Sequence, residues 1–529
     1  MSQAQESGDD AALIEMGYTQ RLDRSLGRFA LFALQYSYLS VLTGIFELFG
    51  FGWAFAGPSS IWAWTAIFGG QMLVALLFCE LASEWPVAGS VYNWSKRLGH
   101  GWSAWMAGWM VLFTAITTVA AVALAAQIVL PQISSAFQIV GKSSNPVDYA
   151  ENAVLLGGIM IVVTTIINSL RVRVIGFVNN LTVLVELGVC VLLIVLLFAH
   201  THRSPAVIFH SLGAGKGYAA GYFGAFLAAS LFGAYQWYGF DTAASLAEEA
   251  TDPHARAPRS ILQALGATFV LGFLLIVAAY VAVSNVTSSQ IGTGGIAYIV
   301  NQTLGTTLGD VLLVGVMIAV FGCALAIQAA AGRIMFGMAR DGQLPFSHRL
   351  AHVRETSKAI VVPTVITGVI ALALLLINIK SQQIIYIVTS IAIITNAVAY
   401  LCVTIPMLLA RRRGAWPPPR PAGSPRRFTL GRLGLPINIA AVIWGILLTV
   451  NLLWPRQSIY NATPPFHWYL RFGPLLAIAI LLLGGSAYYF AVARRRSGIL
   501  QEHRRGGAVV SDESAAPAAV QPSLGSTRL

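Results

Sequence analysis

The sequence predicts an all-α membrane protein with twelve transmembrane helices, on three observations. Only 10% of its 529 residues are charged, against about 25% in soluble domains. Its apolar share is 56%, enough for a dozen spans at about 20 residues each. The apolar residues also fall in long runs bounded by Pro, Gly and charge.

Taken in order, span 1 (29–57) follows Arg28 and ends at Gly57-Pro58, and span 2 (60–83) stops before Glu84. Span 3 (102–130) runs to Pro131, and span 4 (152–170) lies between Glu151 and Arg171. Span 5 (176–199) ends at His200, and span 6 (220–247) ends at Glu248-Glu249. Spans 7 (259–284) and 8 (307–336) follow, then span 9 (360–378) between Lys358 and Lys380 and span 10 (383–410) before Arg411. A Pro/Arg-rich linker, 411–436, precedes spans 11 (437–454) and 12 (471–493), and an Ala/Ser/Pro-rich tail, 494–529, reads as disordered.

An even number of spans puts both termini on one side. That side carries 27 of the 33 Lys and Arg, so the positive-inside rule makes both termini, including segment 1–28, cytoplasmic in a multi-pass protein of the cell membrane. The net charge of +12 is explained by these loops and calls for no nucleic acid. The acidic residues Glu6, Asp9, Asp10 and Glu15 replace the basic n-region that a removable signal peptide would have. Cys79, Cys190, Cys323 and Cys402 lie in apolar stretches without close-spaced pairs, which implies neither a metal nor a redox cofactor.

A charge at the bilayer centre costs at least ~2.5 kcal/mol, so acids inside spans mark function unless they cap a helix or bond a neighbouring backbone. These are Glu47 in span 1, Glu186 in span 5 and Asp241 in span 6, and no Lys or Arg lies at a span centre to pair them. Glu80 and Asp310 lie near span ends and read as structural. Two spans are poor continuous helix: span 1 at Ser40-Val41-Leu42-Thr43-Gly44-Ile45-Phe46, and span 6 from Gly233 through Gln236-Trp237-Tyr238-Gly239-Phe240-Asp241. Breaks in the first and sixth helices are what an inverted repeat of five helices produces, here 29–199 and 220–410. Backbone left unpaired at mid-membrane is tolerated only beside a cavity or ligand. Span 1 runs outward, so its second half points N–H groups at the midplane, where a carboxylate is favoured. Span 6 runs inward, so the half ending near Tyr235 presents carbonyls there, where an ammonium is favoured. Tyr235, Trp237, Tyr238 and Phe240 could cover the solute or simply pack.

Four segments carry a family resemblance: Thr43-Gly44-Ile45-Phe46; Glu80-Leu81-Ala82-Ser83-Glu84-Trp85-Pro86-Val87-Ala88-Gly89-Ser90-Val91-Tyr92; Tyr238-Gly239-Phe240-Asp241 on to Ala247-Glu248-Glu249-Ala250 and Pro258-Arg259; and Gly332-Arg333 on to Met338-Ala339-Arg340-Asp341-Gly342-Gln343-Leu344-Pro345. On these the chain resembles an amino acid permease of the amino acid–polyamine–organocation superfamily, closest to its amino acid/choline transporter branch, over spans 1 to 10. The resemblance implies a five-plus-five inverted repeat with two extra helices and secondary transport by alternating access. It puts the solute's carboxylate at Thr43, Gly44 and Ile45, and its amino group at Tyr235, Tyr238 and Phe240, with Gly239 permitting the break. The family's usual Gly-Ser-Gly-Ile-Phe reads Leu42-Thr43-Gly44-Ile45-Phe46 here. Where some proton-coupled relatives carry a lysine in span 5, this chain has Glu186.

Glu186 is therefore the leading coupling-ion candidate, as a buried carboxyl able to exchange a proton, with sodium as the alternative; Asp241 and Glu47 follow. The implied partners are an amino acid or related amine, γ-aminobutyrate among them, the coupling proton and the bilayer. Choline, ethanolamine or a polyamine, and an exchange mode, stay open. An enzyme is disfavoured because the nine histidines lie in loops or at span edges with no paired spacing on a helix. The Gly141-Lys142-Ser143 tripeptide lacks a leading glycine at Ala136, and no repeated filter or charge ring points to a channel.

Overall fold

The computed structural model describes residues 26–99, 101–218, 220–354, 359–377, 384–419, 427–462 and 466–496, without the side chains of 172, 377, 384 and 385. Most of segment 1–28, part of the 411–436 linker and most of the 494–529 tail lie outside the described residues. The long helices are α1 (Arg28–Leu39), α2 (Val41–Ala56), α3 (Ser60–Glu84), α4 (Ser90–Leu98), α5 (Gly101–Ile133), α6 (Pro146–Asn168), α7 (Val172–Ala199), α8 (Gly221–Gln236), α9 (Pro253–Ala282), α10 (Gln290–Arg340), α11 (Val361–Ile377), α12 (Ile384–Arg412), α13 (Gly434–Leu453) and α14 (Gly473–Ala491). Among the described residues there is no strand, only an isolated bridge between Leu26 and Ala250.

Nine segments among these residues are long and apolar enough to span a membrane. The first, Arg28–Glu84, holds two of the expected spans, and Val361–Leu376 is a shorter apolar helix; the 16-residue α8 lies where span 6 is expected. α10 changes direction at Gly295 (φ 55°) and Gly305 (φ 76°), so only its part after Gly305 corresponds to span 8.

The first four spans each pack on the span five places further along. α2 packs on α8, α3 on α9, α5 on α10 and α6 on α11, and α10 also packs against α1, α2 and α7. This matches an inverted repeat in which the first helix of each half, the one that breaks, lies inside the bundle. The burial pattern agrees: α2 and the end of α8 are covered on nearly all sides, whereas α7 exposes Phe177, Leu181, Leu184 and Leu192, the apolar outer face that lipid requires.

Buried ion pairs and hydrogen bonds join three of the four resemblance segments at the basic end. Glu249 accepts a two-pronged bond from Arg333, its Oε2 at 2.8 Å from Nη2. Arg340 reaches Glu248 at 2.9 Å, and the same carboxylate accepts the Ala88 amide at 3.0 Å. Asp341 takes Lys96 and, at 2.8 Å, the Tyr92 hydroxyl. Burial pushes the Lys96 ammonium below its ordinary value, against the pull of Asp341. Glu80 binds Arg411 and the Leu430 amide (2.6 Å), fastening the linker to α3. The fork geometry of Arg333 matters more than its charge, because one planar group serves both carboxylate oxygens. Arg333→Lys gives up one of those bonds and is expected to lower stability by about 1.5 kcal/mol, read as a lower melting temperature in detergent.

Candidate functional site

The first helix breaks at Ser40 (φ −4°, ψ 109°), three residues ahead of Thr43. Serine suits that position because its hydroxyl can accept an amide from the next turn, and Ser40 Oγ accepts Thr43 N–H at 3.1 Å. Thr43, Gly44 and Ile45 therefore occupy the first turns of α2 rather than an unwound stretch. The sixth helix ends at Gln236 and resumes as a short turn, Thr242–Ser245, leaving Trp237 to Asp241 non-helical. Gly239 supplies the positive φ, 76°, that this gap needs.

Each break is bridged by a glutamine from the other broken helix. Gln236 Nε2 donates to the Leu39 carbonyl at the end of α1 and to the Ser40 carbonyl, which also accepts Gly44 N–H. Gln35, on α1, donates to Gly239 O (3.4 Å) and accepts Ala243 N–H (2.8 Å). The α2 amides have their own partner: Glu186 Oε1 accepts Leu42 N–H at 3.3 Å and Ser40 Oγ–H at 2.8 Å. Since Ser40 gives its proton to Glu186, Thr43 Oγ1, 2.6 Å away, is the donor to Ser40. A carboxylate is thus already seated on the anion-favouring helix end, and it belongs to the protein.

Between the breaks lies a cavity of about 20 Å³ lined by Tyr38, Ser40, Thr43, Gly44, Thr118, Tyr235, Gln236, Tyr238 and Cys323, among others. Four of the residues singled out by sequence meet here: Thr43, Gly44, Tyr235 and Tyr238. Tyr238 OH and Thr118 Oγ1 are 2.9 Å apart, and the Tyr238 ring lies 6.0 Å from Tyr235 and 6.4 Å from Tyr38.

The others point elsewhere. Ile45 is buried with its side chain toward Gly272 on α9. Phe240 packs on Tyr400 (5.1 Å) and Phe78 (5.7 Å), and Trp237 on Trp64 (4.6 Å). Of the four aromatics around the sixth-helix break, only Tyr235 and Tyr238 line this cavity. Gly239 serves the break, its N–H donating to Tyr400 OH at 3.1 Å. Asp241 accepts Tyr400 OH and Ser90 Oγ, both at 2.7 Å, and ties the second half of the sixth helix to α4 and α12. Glu47 lies one turn beyond Thr43, buried and lining a second cavity.

Sequence reasoning assigned no role to Gln35, Tyr38, Ser40, Thr118 or Tyr400. Gln35 left a signal, as an amide inside an apolar span; a tyrosine or threonine in a span is too ordinary to stand out.

A sequence model of the family described as amino acid permease matches residues 26–482. The chain is 27% identical over 471 residues to amino-acid permease BAT1 of Arabidopsis thaliana, covering 85% of this chain and 89% of that one. It is 28% identical over 483 residues to the BAT1 homolog of Oryza sativa subsp. japonica, covering 86% and 90%. Against amino-acid permease 2 of Neurospora crassa it is 26% identical over 473 residues, covering 85% and 82%.

Proposed function

The chain belongs to the amino acid permease family of the amino acid–polyamine–organocation superfamily, and from that premise we propose that it imports an amino acid or a related amine such as γ-aminobutyrate by proton-coupled alternating access. The observation that carries this reading is the meeting of two broken helices at one small cavity, the α2 N-terminus on one side and the α8 C-terminus on the other. The two ends offer opposite partial charges, each worth up to ~2 kcal/mol to a partly buried ion, so a zwitterion satisfies both.

In this reading Glu186 carries the coupled proton. Its carboxylate holds the Leu42 amide of α2 and the Ser40 hydroxyl; once protonated it is a poorer acceptor and yields that helix end to the solute's carboxylate. Thr43 and Gly44 lie at that end, while Tyr235 and Tyr238 flank the amine. The cytoplasmic side is the end carrying the Arg333, Arg340 and Lys96 ion pairs, by the distribution of basic residues.

A carboxylate-free amine, such as choline, ethanolamine or a polyamine, is the second reading. It is favoured by the fact that Leu42 and Thr43 N–H already have partners, which such a solute would leave in place.

Uptake of labelled alanine, γ-aminobutyrate and choline into proteoliposomes tests both. Saturable accumulation of an amino acid under an inward pH gradient is the expected result. Accumulation of choline alone supports the second reading, a sodium requirement replaces the proton, and unsaturated linear flux overturns the carrier.

A further inference from the structure

A second cavity, of about 110 Å³, lies beside α2 toward the end opposite the ion pairs. Its walls are Phe46, Glu47 and Phe51 of α2, Gln127 of α5, Tyr149 of α6 and Tyr386 of α12, with Gly292, Thr293 and Gly295 of α10 completing the lining. We propose that this cavity is a binding site for the alkylammonium group of a cationic amine.

Three features support it. Glu47 is 7% exposed, and its carboxyl has the Tyr235 hydroxyl as its side-chain hydrogen-bonding neighbour. A single hydroxyl serves only one carboxylate oxygen, which leaves the other open to a further donor. That open oxygen can accept an ammonium N–H, and the charge of the carboxylate favours a cation over a neutral donor. No Lys, Arg or His lines the cavity, and Gln127 is committed to Gln138 and Asn152 at 2.9 and 2.6 Å, so the lining itself provides no cation for Glu47. Finally, Phe46, Phe51, Tyr149 and Tyr386 supply aromatic surface, which attracts an organic cation and accepts its alkyl chain. A bare metal ion is a poorer fit, because hard cations need a shell of several oxygens and the wall offers one carboxylate.

Tyr235 also lines the cavity between the helix breaks. An amine held by Glu47 is therefore separated from the central site by one side chain, and only this onward route rests on the function proposed above.

Melting shifts of the full-length protein in detergent, with n-butylammonium chloride against equal sodium chloride, test the site. Butylammonium is expected to stabilise the wild type saturably, and Glu47→Gln to weaken its apparent affinity by about tenfold or more. Ala153→Leu, which fills the cavity from α6 and leaves the carboxylate intact, is expected to do the same and keeps the test decisive if Glu47→Gln does not fold. No shift in the wild type, or the same affinity in the variants, overturns the site. Alanine in the same assay reports separately on the proposed function: a butylammonium shift dependent on Glu47 without any alanine response leaves this site standing and counts against amino acid transport.

Discussion

Glu186→Gln is expected to remove the dependence of uptake on an imposed pH gradient while leaving the protein folded. The amide keeps an oxygen where Glu186 Oε1 accepts Ser40 Oγ at 2.8 Å and Leu42 N–H at 3.3 Å, so the cap on α2 survives. Its loss in strength is that of a charged acceptor becoming neutral, about 1 kcal/mol. What disappears is the titratable proton. Wild-type uptake should rise as the external pH falls below the internal pH; the variant's should be flat across the same range and reduced more than tenfold at the steepest gradient, as a coupling of at least about 1.4 kcal/mol requires. The measurement is initial-rate uptake in proteoliposomes at fixed internal pH. Retained pH-driven accumulation would remove Glu186 from the coupling step. Lost sodium dependence in its place would assign the same carboxylate to sodium.

Gly239→Ala is expected to abolish transport and to destabilise the fold more than an ordinary glycine substitution. The residue sits at φ 76°, where a side chain costs roughly 1–2 kcal/mol, and a Cβ there would run into the Tyr38 ring, which lines the central cavity. The two costs separate experimentally. Gly342 has nearly the same backbone, φ 70°, with nothing within 4 Å of its Cβ position, so Gly342→Ala reports the backbone cost alone. A melting temperature lower in Gly239→Ala than in Gly342→Ala, with uptake lost only in the former, assigns the difference to Tyr38. Equal effects would mean that the sixth-helix break tolerates a shifted Tyr38.

How legible these features were depends on the range of the forces behind them. A bilayer imposes its demand on every local stretch of about 20 residues, so the spans stand out as apolar runs. The broken helices were also legible, because Gly-rich, polar stretches within apolar spans are local anomalies. Their exact chemistry was not. The glycine at 44 drew attention to Thr43 and Gly44, yet the first helix parts at Ser40, where a hydroxyl can cap the restarting half. Likewise Tyr238 and Phe240 look equivalent in sequence, and the non-helical backbone between them turns one to the cavity and the other onto Phe78 and Tyr400. Asp241 stood out as a lone acid in a span, but whether it was free or bonded depended on Ser90 and Tyr400, 151 and 159 residues away.

Sequence by itself determined the class of molecule, its family and the two helices that break, since hydropathy and glycine placement act within a few turns of chain. Only the tertiary structure decided what meets the broken ends. Gln236 reaches back 197 residues to Leu39, Gln35 forward 204 to Gly239, and Glu186 back 144 to Leu42. Exposed peptide dipoles in a medium without water must find partners, but the chain's local pattern does not say which distant side chain folding will bring to them.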